Sequence, residues 1–296
     1  MKPFKTLFSV GLIVACFVGC KNQGNQTESW LDNFFTANNG IRTNIVANSN
    51  NTVALIASLT HVDPKAYNGW NGDCPGTDVD ASVFRDMCYS HGVPYVKLEN
   101  SQATIANVID NAVSVAKSLD STGGLLVLFF SGHGGQVPTQ SQGLEDDGLD
   151  ETLCLWDGQL RDKDIWSLLN RLPKNVRVWM VTDCCNSGTN YRKPRNFSVA
   201  IKRLANERHA VRVARGIVER AESQEPNLLH WGGCGDGESS YGSVNGGKFT
   251  TALVDTYNPR LTYREWFNSA IKRMPAYQRP TWGETGVSFG DTLIFK

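Results

Sequence analysis

Neither charge is in surplus. The 296-residue chain carries 29 Lys and Arg against 29 Asp and Glu. Binding nucleic acid or an anionic membrane through bulk charge needs a basic excess, so no nucleic-acid partner is expected. The eight cysteines contain no Cys-x-x-Cys pair, which removes the common spacing of a zinc site. Nor are they dense enough to staple a chain of this size. No internal repeat is visible, which leaves no reason to expect a solenoid. What is there is ordinary in amount. Hydrophobic residues make up 41%, enough for one large α/β domain or two small ones.

The N-terminus is set apart. A basic "MKPFK" precedes "TLFSVGLIVACFVG", an apolar run of 14 residues that is short for a bilayer span. That is the shape of a secretory signal. It ends in "FVGC", which resembles a bacterial lipobox with Cys20 as the lipidated residue, although Phe17 stands where leucine is usual. The expectation is a signal over 1–20, a polar, Asn-rich linker over 21–50, and an exported chain lipid-anchored at a bacterial cell envelope. An ordinary cleaved signal or an uncleaved anchor is the alternative. Six cysteines then remain. If one is a working thiol, five are left, an odd number. Export permits a disulfide, but the sequence does not show one.

From residue 51 onward, apolar runs alternate with amphipathic ones. Strands are expected at "TVALIASL" (52–59), "VPYVKL" (93–98), "GGLLVLFFSGHGG" (123–135) and "VRVWMVTDCC" (176–185). Helices are expected over 80–92, 101–119 and 160–172; the second places Ile105, Val108, Ile109, Val113 and Ala116 on one side. After a basic segment over 190–227 come a strand at 228, helices over 247–257 and 262–274, and a final strand in "DTLIFK" (291–296). Strand–helix alternation implies a mostly parallel sheet with helices on both faces. Chemistry in such sheets collects beyond the carboxyl ends of the strands.

Two apolar strands end in Gly-bearing loops, "SGHGG" and "DCCNSG". A nucleophilic thiol needs a partner that moves a proton near neutral pH, which histidine does best. His133 ends one strand, and Cys184 and Cys185 end another. The backbone N–H groups of Gly134 and Cys185 are candidates for an oxyanion site. The plain alternative is a His and a Cys closing two buried strands.

The wording of these loops resembles the caspase-like cysteine peptidases, metacaspases most closely. There, one strand ends in SGHG and the next in D-C/S-C-H-S-G, whose second cysteine is the nucleophile. "EDDGLDETLCLWD" (145–157), "LRDKDI" (160–165), "GGCGDGESSYG" with "GGKFTTAL" (232–253) and "QRPTWG" (278–283) resemble further family segments in the same order. The resemblance covers about 50–296. It implies a caspase-like α/β fold, with 51–189 corresponding to the large part, 190–227 to the intersubunit segment and 228–296 to the small part. It selects Cys185 and His133 as the dyad and leaves Cys184 as packing. Asn186 departs from the family's histidine.

The resemblance also implies cleavage of protein or peptide substrates after Arg or Lys, with Asp80, Asp183 and Ser131 lining the first specificity pocket. A structural carboxylate is the alternative for Asp183. No cofactor is required for the chemistry. Calcium is a possible activator, at Asp150, Asp162 and Asp164, although the loop after Cys185 lacks the acid the family draws from there. A monomer is expected, and 190–227 is the place for any self-cleavage. Two other readings stay open: a catalytically silent caspase-like binding module, and a clostripain- or legumain-like relative with another preference.

Overall fold

Residues 52–58, TVALIAS, are buried at every position. Apolar and small residues on both faces, with no polar alternation, make a strand that needs cover above and below. In the computed structural model this is β1 (Thr52–Ser58), near the middle of a six-stranded sheet. The structure describes residues 47, 50–119, 123–139, 148–188, 191 and 225–296. The signal over 1–20 with Cys20, nearly all of the linker, and most of the basic segment lie outside the described residues.

The other sheet strands are β2 (Tyr95–Glu99), β3 (Leu125–Ser131), β7 (Arg177–Asp183), β8 (Asn227–Gly232) and β11 (Thr281–Thr285), in the order β11-β8-β7-β3-β1-β2. All neighbours are parallel except β8 and β11. Helices α1 (Thr77–Ser90), α4 (Lys248–Thr256) and α5 (Tyr263–Ile271) share one core with alternate strand residues: Ala54, Ile56, Val127, Phe129, Trp179, Val181 and Trp231. Trp179 and Trp231 lie 5.0 Å apart, and Trp266 of α5 is 5.1 Å from Trp231. Large aromatic rings meeting edge to face supply much of the burial here. Helix α2 (Ile105–Ser118) packs on β1 and β3 and buries Ile109, Ala112, Val115 and Ala116 outside that core. Strand residues alternate in direction, so α2 covers the opposite face. The expected α/β sandwich is what the chain forms.

Three departures from the sequence reading matter. First, "GGLLVLFFSGHGG" is not one strand. It stops at Ser131 and restarts as β4 (Gly134–Pro138) in a separate antiparallel sheet with β5 (Leu149–Leu155) and β6 (Gly158–Arg161). Helix α3 (Asp162–Arg171) then begins directly after β6. Second, "DTLIFK" is no strand. Apart from a single bridge between Leu293 and Thr262 it is turns, and its Ile294 and Phe295 join the core. Third, the sheet edge is β11, "TWGET", whose Gly and preceding Pro hid it. A two-stranded ribbon, β9 (Gly242–Ser243) and β10 (Gly246–Gly247), precedes α4.

Candidate active site

Parallel pairing of β3 with β7 sets Ser131 opposite Asp183. His133 and Cys185 therefore both lie two residues past the same level of the sheet, at its carboxyl edge. The two turns touch. A Cβ at Gly134 would collide with the Cys185 carbonyl, so the close approach requires glycine. Cys184 is buried beneath this contact, and burial holds its thiol protonated. Cys185 is half-buried.

The His133 ring lies 4.9 Å from the Trp70 ring, and its Nε2 is 3.3 Å from the Asp73 carbonyl oxygen. A carbonyl only accepts, so Nε2 carries the proton in this contact and Nδ1 keeps its lone pair. Burial lowers the pKa of His133, which favours the neutral ring. The next residue in that loop, Cys74, has its thiol pushed up to about 11, first by burial and then by Cys185, Asp183, Asp80 and Asp73.

The turn carrying Cys185 is fixed from behind. Asn186 adopts φ 51°, in the left-handed region that Asn tolerates better than most residues. Its N–H donates to the Glu238 carbonyl, and its side-chain oxygen accepts from Gly237 N–H at 2.9 Å. Ser187 is buried; its hydroxyl donates to the Cys234 carbonyl and accepts from the Cys234 N–H. The Glu238 carboxylate takes the Gly235 N–H and pairs with Arg279. Asparagine thus holds the turn where the resembling family has histidine.

Beneath the turns, Asp80 of α1 and Asp183 of β7 come together. Both are buried. Ser131 Oγ donates to Asp80 at 2.7 Å, as does the Gly247 N–H. Asp183 accepts from Ser240 Oγ at 2.5 Å and from both the N–H and hydroxyl of Thr250. Gly247 lies between the two carboxylates, and a Cβ there would strike Asp183. Among the described residues no Lys or Arg is ion-paired with either acid. Burial, and then the other carboxylate, pushes Asp80 up to about 7; burial raises Asp183 as well. The pair is short of one positive charge.

The other acidic set is different. Asp150, Asp162 and Asp164 are buried at the β5 start and the α3 N-terminus. Yet Lys163 Nζ lies 2.7 Å from Asp150 Oδ2 and Arg161 3.5 Å from it. Among the described residues no group of three or more His, Cys, Asp or Glu is placed to hold a metal ion. The three aspartates expected as calcium ligands therefore do not fit one as arranged, because the cations of Lys163 and Arg161 already face Asp150.

With this geometry in view, the relatives can be placed. The Caspase domain family model matches residues 54–286. The chain belongs to that family. It is 38% identical over 99 residues to Metacaspase III c of Phaeodactylum tricornutum, covering 31% of this chain and 28% of that protein. It is 34% identical over 167 residues to Metacaspase-3 of Arabidopsis thaliana, covering 50% and 44%. The chain thus spans less than half the length of these curated relatives. Among solved structures, protein GSU0716 from Geobacter sulfurreducens superposes with a TM-score of 0.62 at 28% identity, over 82% of this chain and 98% of that one. Caspase-1 from Spodoptera frugiperda gives 0.54 at 12% identity, over 84% and 92%, a likeness of fold.

Asp80, Ser131 and Asp183 come together in one buried cluster, and His133 and Cys185 end adjoining strands. The reading missed Trp70, Asp73 and Cys74, and the partners Ser240, Gly247 and Thr250. The sole sequence signal for the first three was a Gly/Pro/Asn loop.

Proposed function

We propose that the chain is a cysteine endopeptidase that cleaves after Arg or Lys. The observation that carries it is the buried Asp80–Asp183 pair, which lacks a cation among the described residues and lies under the His133 and Cys185 turns. A guanidinium or ammonium entering there supplies the missing charge. An unpaired buried charge costs several kcal/mol, so the pair favours a basic side chain over an acidic one. His133 Nδ1 takes the Cys185 thiol proton as Sγ attacks the scissile carbonyl carbon. The N–H groups of Gly134 and Cys185 receive the oxyanion. His133 then protonates the leaving amine, and water hydrolyses the thioester to return the thiol. We assign the exported, lipid-anchored state to a modified Cys20, a monomeric enzyme at the cell envelope acting on protein or peptide substrates.

The test uses fluorogenic Arg, Lys, Asp and Asn substrates with wild type, Cys185→Ala and Cys184→Ala. Cleavage after Arg and Lys by wild type and Cys184→Ala, and none by Cys185→Ala, is expected. Cleavage after Asn instead points to the legumain-like reading. No cleavage at all points to a silent binding module. Mass spectrometry of the mature N-terminus checks the lipid: an unmodified terminus other than Cys20 overturns it.

A further inference from the structure

The Asp150 centre suggests a second assignment. Asp150 sits opposite Val137 on β4, the strand that starts directly after His133. Arg161 ends β6 opposite Thr152 of β5, and Lys163 lies in the first turn of α3. One small sheet thus carries both the catalytic histidine's loop and the charge centre. The Asp150 side chain is 2% exposed, Arg161 17% and Lys163 18%. These are not surface pairs screened to insignificance. Neither contact is aligned as a hydrogen bond, so the attraction is between charges. Asp164 feels the same two cations and Asp150 as well. Two cations thus lie near two carboxylates, Asp150 and Asp164, and the ammonium is the one in close contact with Asp150.

A hard divalent cation would hold such oxygens in the same way, gathering carboxylates that otherwise repel. Here a covalently tethered ammonium lies 2.7 Å from Asp150, and its charge reaches Asp164. We propose that Lys163 is a built-in replacement for a divalent cation at this centre, so the sheet that carries His133 is assembled without calcium. The activity arm below rests on the peptidase reading; the stability arms do not.

The protein is melted in EGTA and in millimolar calcium chloride as wild type, Lys163→Arg and Lys163→Met. Calcium binding to each is also titrated by calorimetry. Wild type and Lys163→Arg should show no stoichiometric binding and a Tm change under about 1 °C. Lys163→Met should melt roughly 5–10 °C lower in EGTA, as expected when a buried ion pair loses one partner. Calcium should restore most of that loss, since a cation that binds only the folded state raises Tm. Stoichiometric calcium binding by wild type overturns the proposal. So does a Lys163→Met protein as stable as wild type, or one blind to calcium. If Lys163→Met does not fold, Lys163→Gln replaces it, and the wild-type titration decides by itself. In the activity arm, equal cleavage of Arg substrates in EGTA and calcium supports the proposal, and stimulation beyond about tenfold, or 1.4 kcal/mol, contradicts it. A chain that cleaves nothing removes the peptidase reading and leaves the melts to judge Lys163.

Discussion

Two sets of aspartates are buried in this molecule, and they are completed differently. At Asp150 the chain provides its own cations, Lys163 and Arg161. At Asp80 and Asp183 it provides only donors: the hydroxyls of Ser131, Ser240 and Thr250, and the N–H groups of Gly247 and Thr250. Donors orient a carboxylate but do not neutralise it. A set with internal cations is a structural joint. A set without them, below the turns of Cys185 and His133, is the one proposed above to take a cation from outside. Burial is the same in both; the sign left over separates them.

The largest expected effect lies in the set without cations. Asp183→Ala should lower kcat/KM on Arg substrates by roughly two to three orders of magnitude, the size of a lost buried charge partner. A variant as active as wild type would remove the pocket assignment.

Stability should then respond unequally. Asp150→Asn leaves Lys163 and Arg161 facing a neutral amide and should cost about 3 kcal/mol. Asp183→Asn turns an amide NH2 toward donors but relieves repulsion with Asp80, and should cost less, about 1 kcal/mol. Urea melts of both variants check this; equal losses would erase the distinction.

Next comes pH. The raised Asp80 pKa means the folded chain binds a proton that the unfolded chain has released between about 4 and 7. The pair's contribution to stability therefore declines as pH rises through that window. Recognition of a cation runs the other way, because it needs the ionised pair. For Arg substrates, kcat/KM should rise toward a limb near pH 7, and Asp80→Asn should abolish that limb.

The smallest effect should come from Ser131→Ala. Its 2.7 Å hydrogen bond favours the ionised form of Asp80. Losing it should move the same limb upward and cost a fewfold in kcat/KM at pH 7, in line with about 1 kcal/mol for one hydrogen bond. A limb that stays in place would show that the hydroxyl does not tune the pair.

The sequence pointed to His133 and Cys185 because each closes an apolar run, and the family resemblance then chose Cys185 over Cys184. The sequence disclosed the parallel sheet because apolar strands such as β1 and β3 alternate with amphipathic helices. It concealed β4 to β6, since "SGHGG" continues an apolar run and only the packing of Gly134 on the Cys185 turn shows where the chain leaves the main sheet. "DTLIFK" misled for the opposite reason: its apolar residues fill the core from turns rather than from a strand. Lys163 reads as one more charge in "LRDKDI" until the fold brings it against Asp150. Trp70 and Asp73 meet His133 across sixty residues of chain, beyond any local signal.

The pairing of β7 with β8 sets what a cut would do. These strands are immediate neighbours, in register from Arg177 with Asn227 to Thr182 with Gly232, while the chain between them holds the basic stretch. A break within 192–224 would leave two polypeptides sharing one continuous sheet. They would run as two bands on a denaturing gel and elute as one particle from a sizing column. Unfolding would gain a dependence on dilution after the cut, since the pieces could then drift apart. Cleavage there would turn a fold into a complex without moving an atom of the sheet.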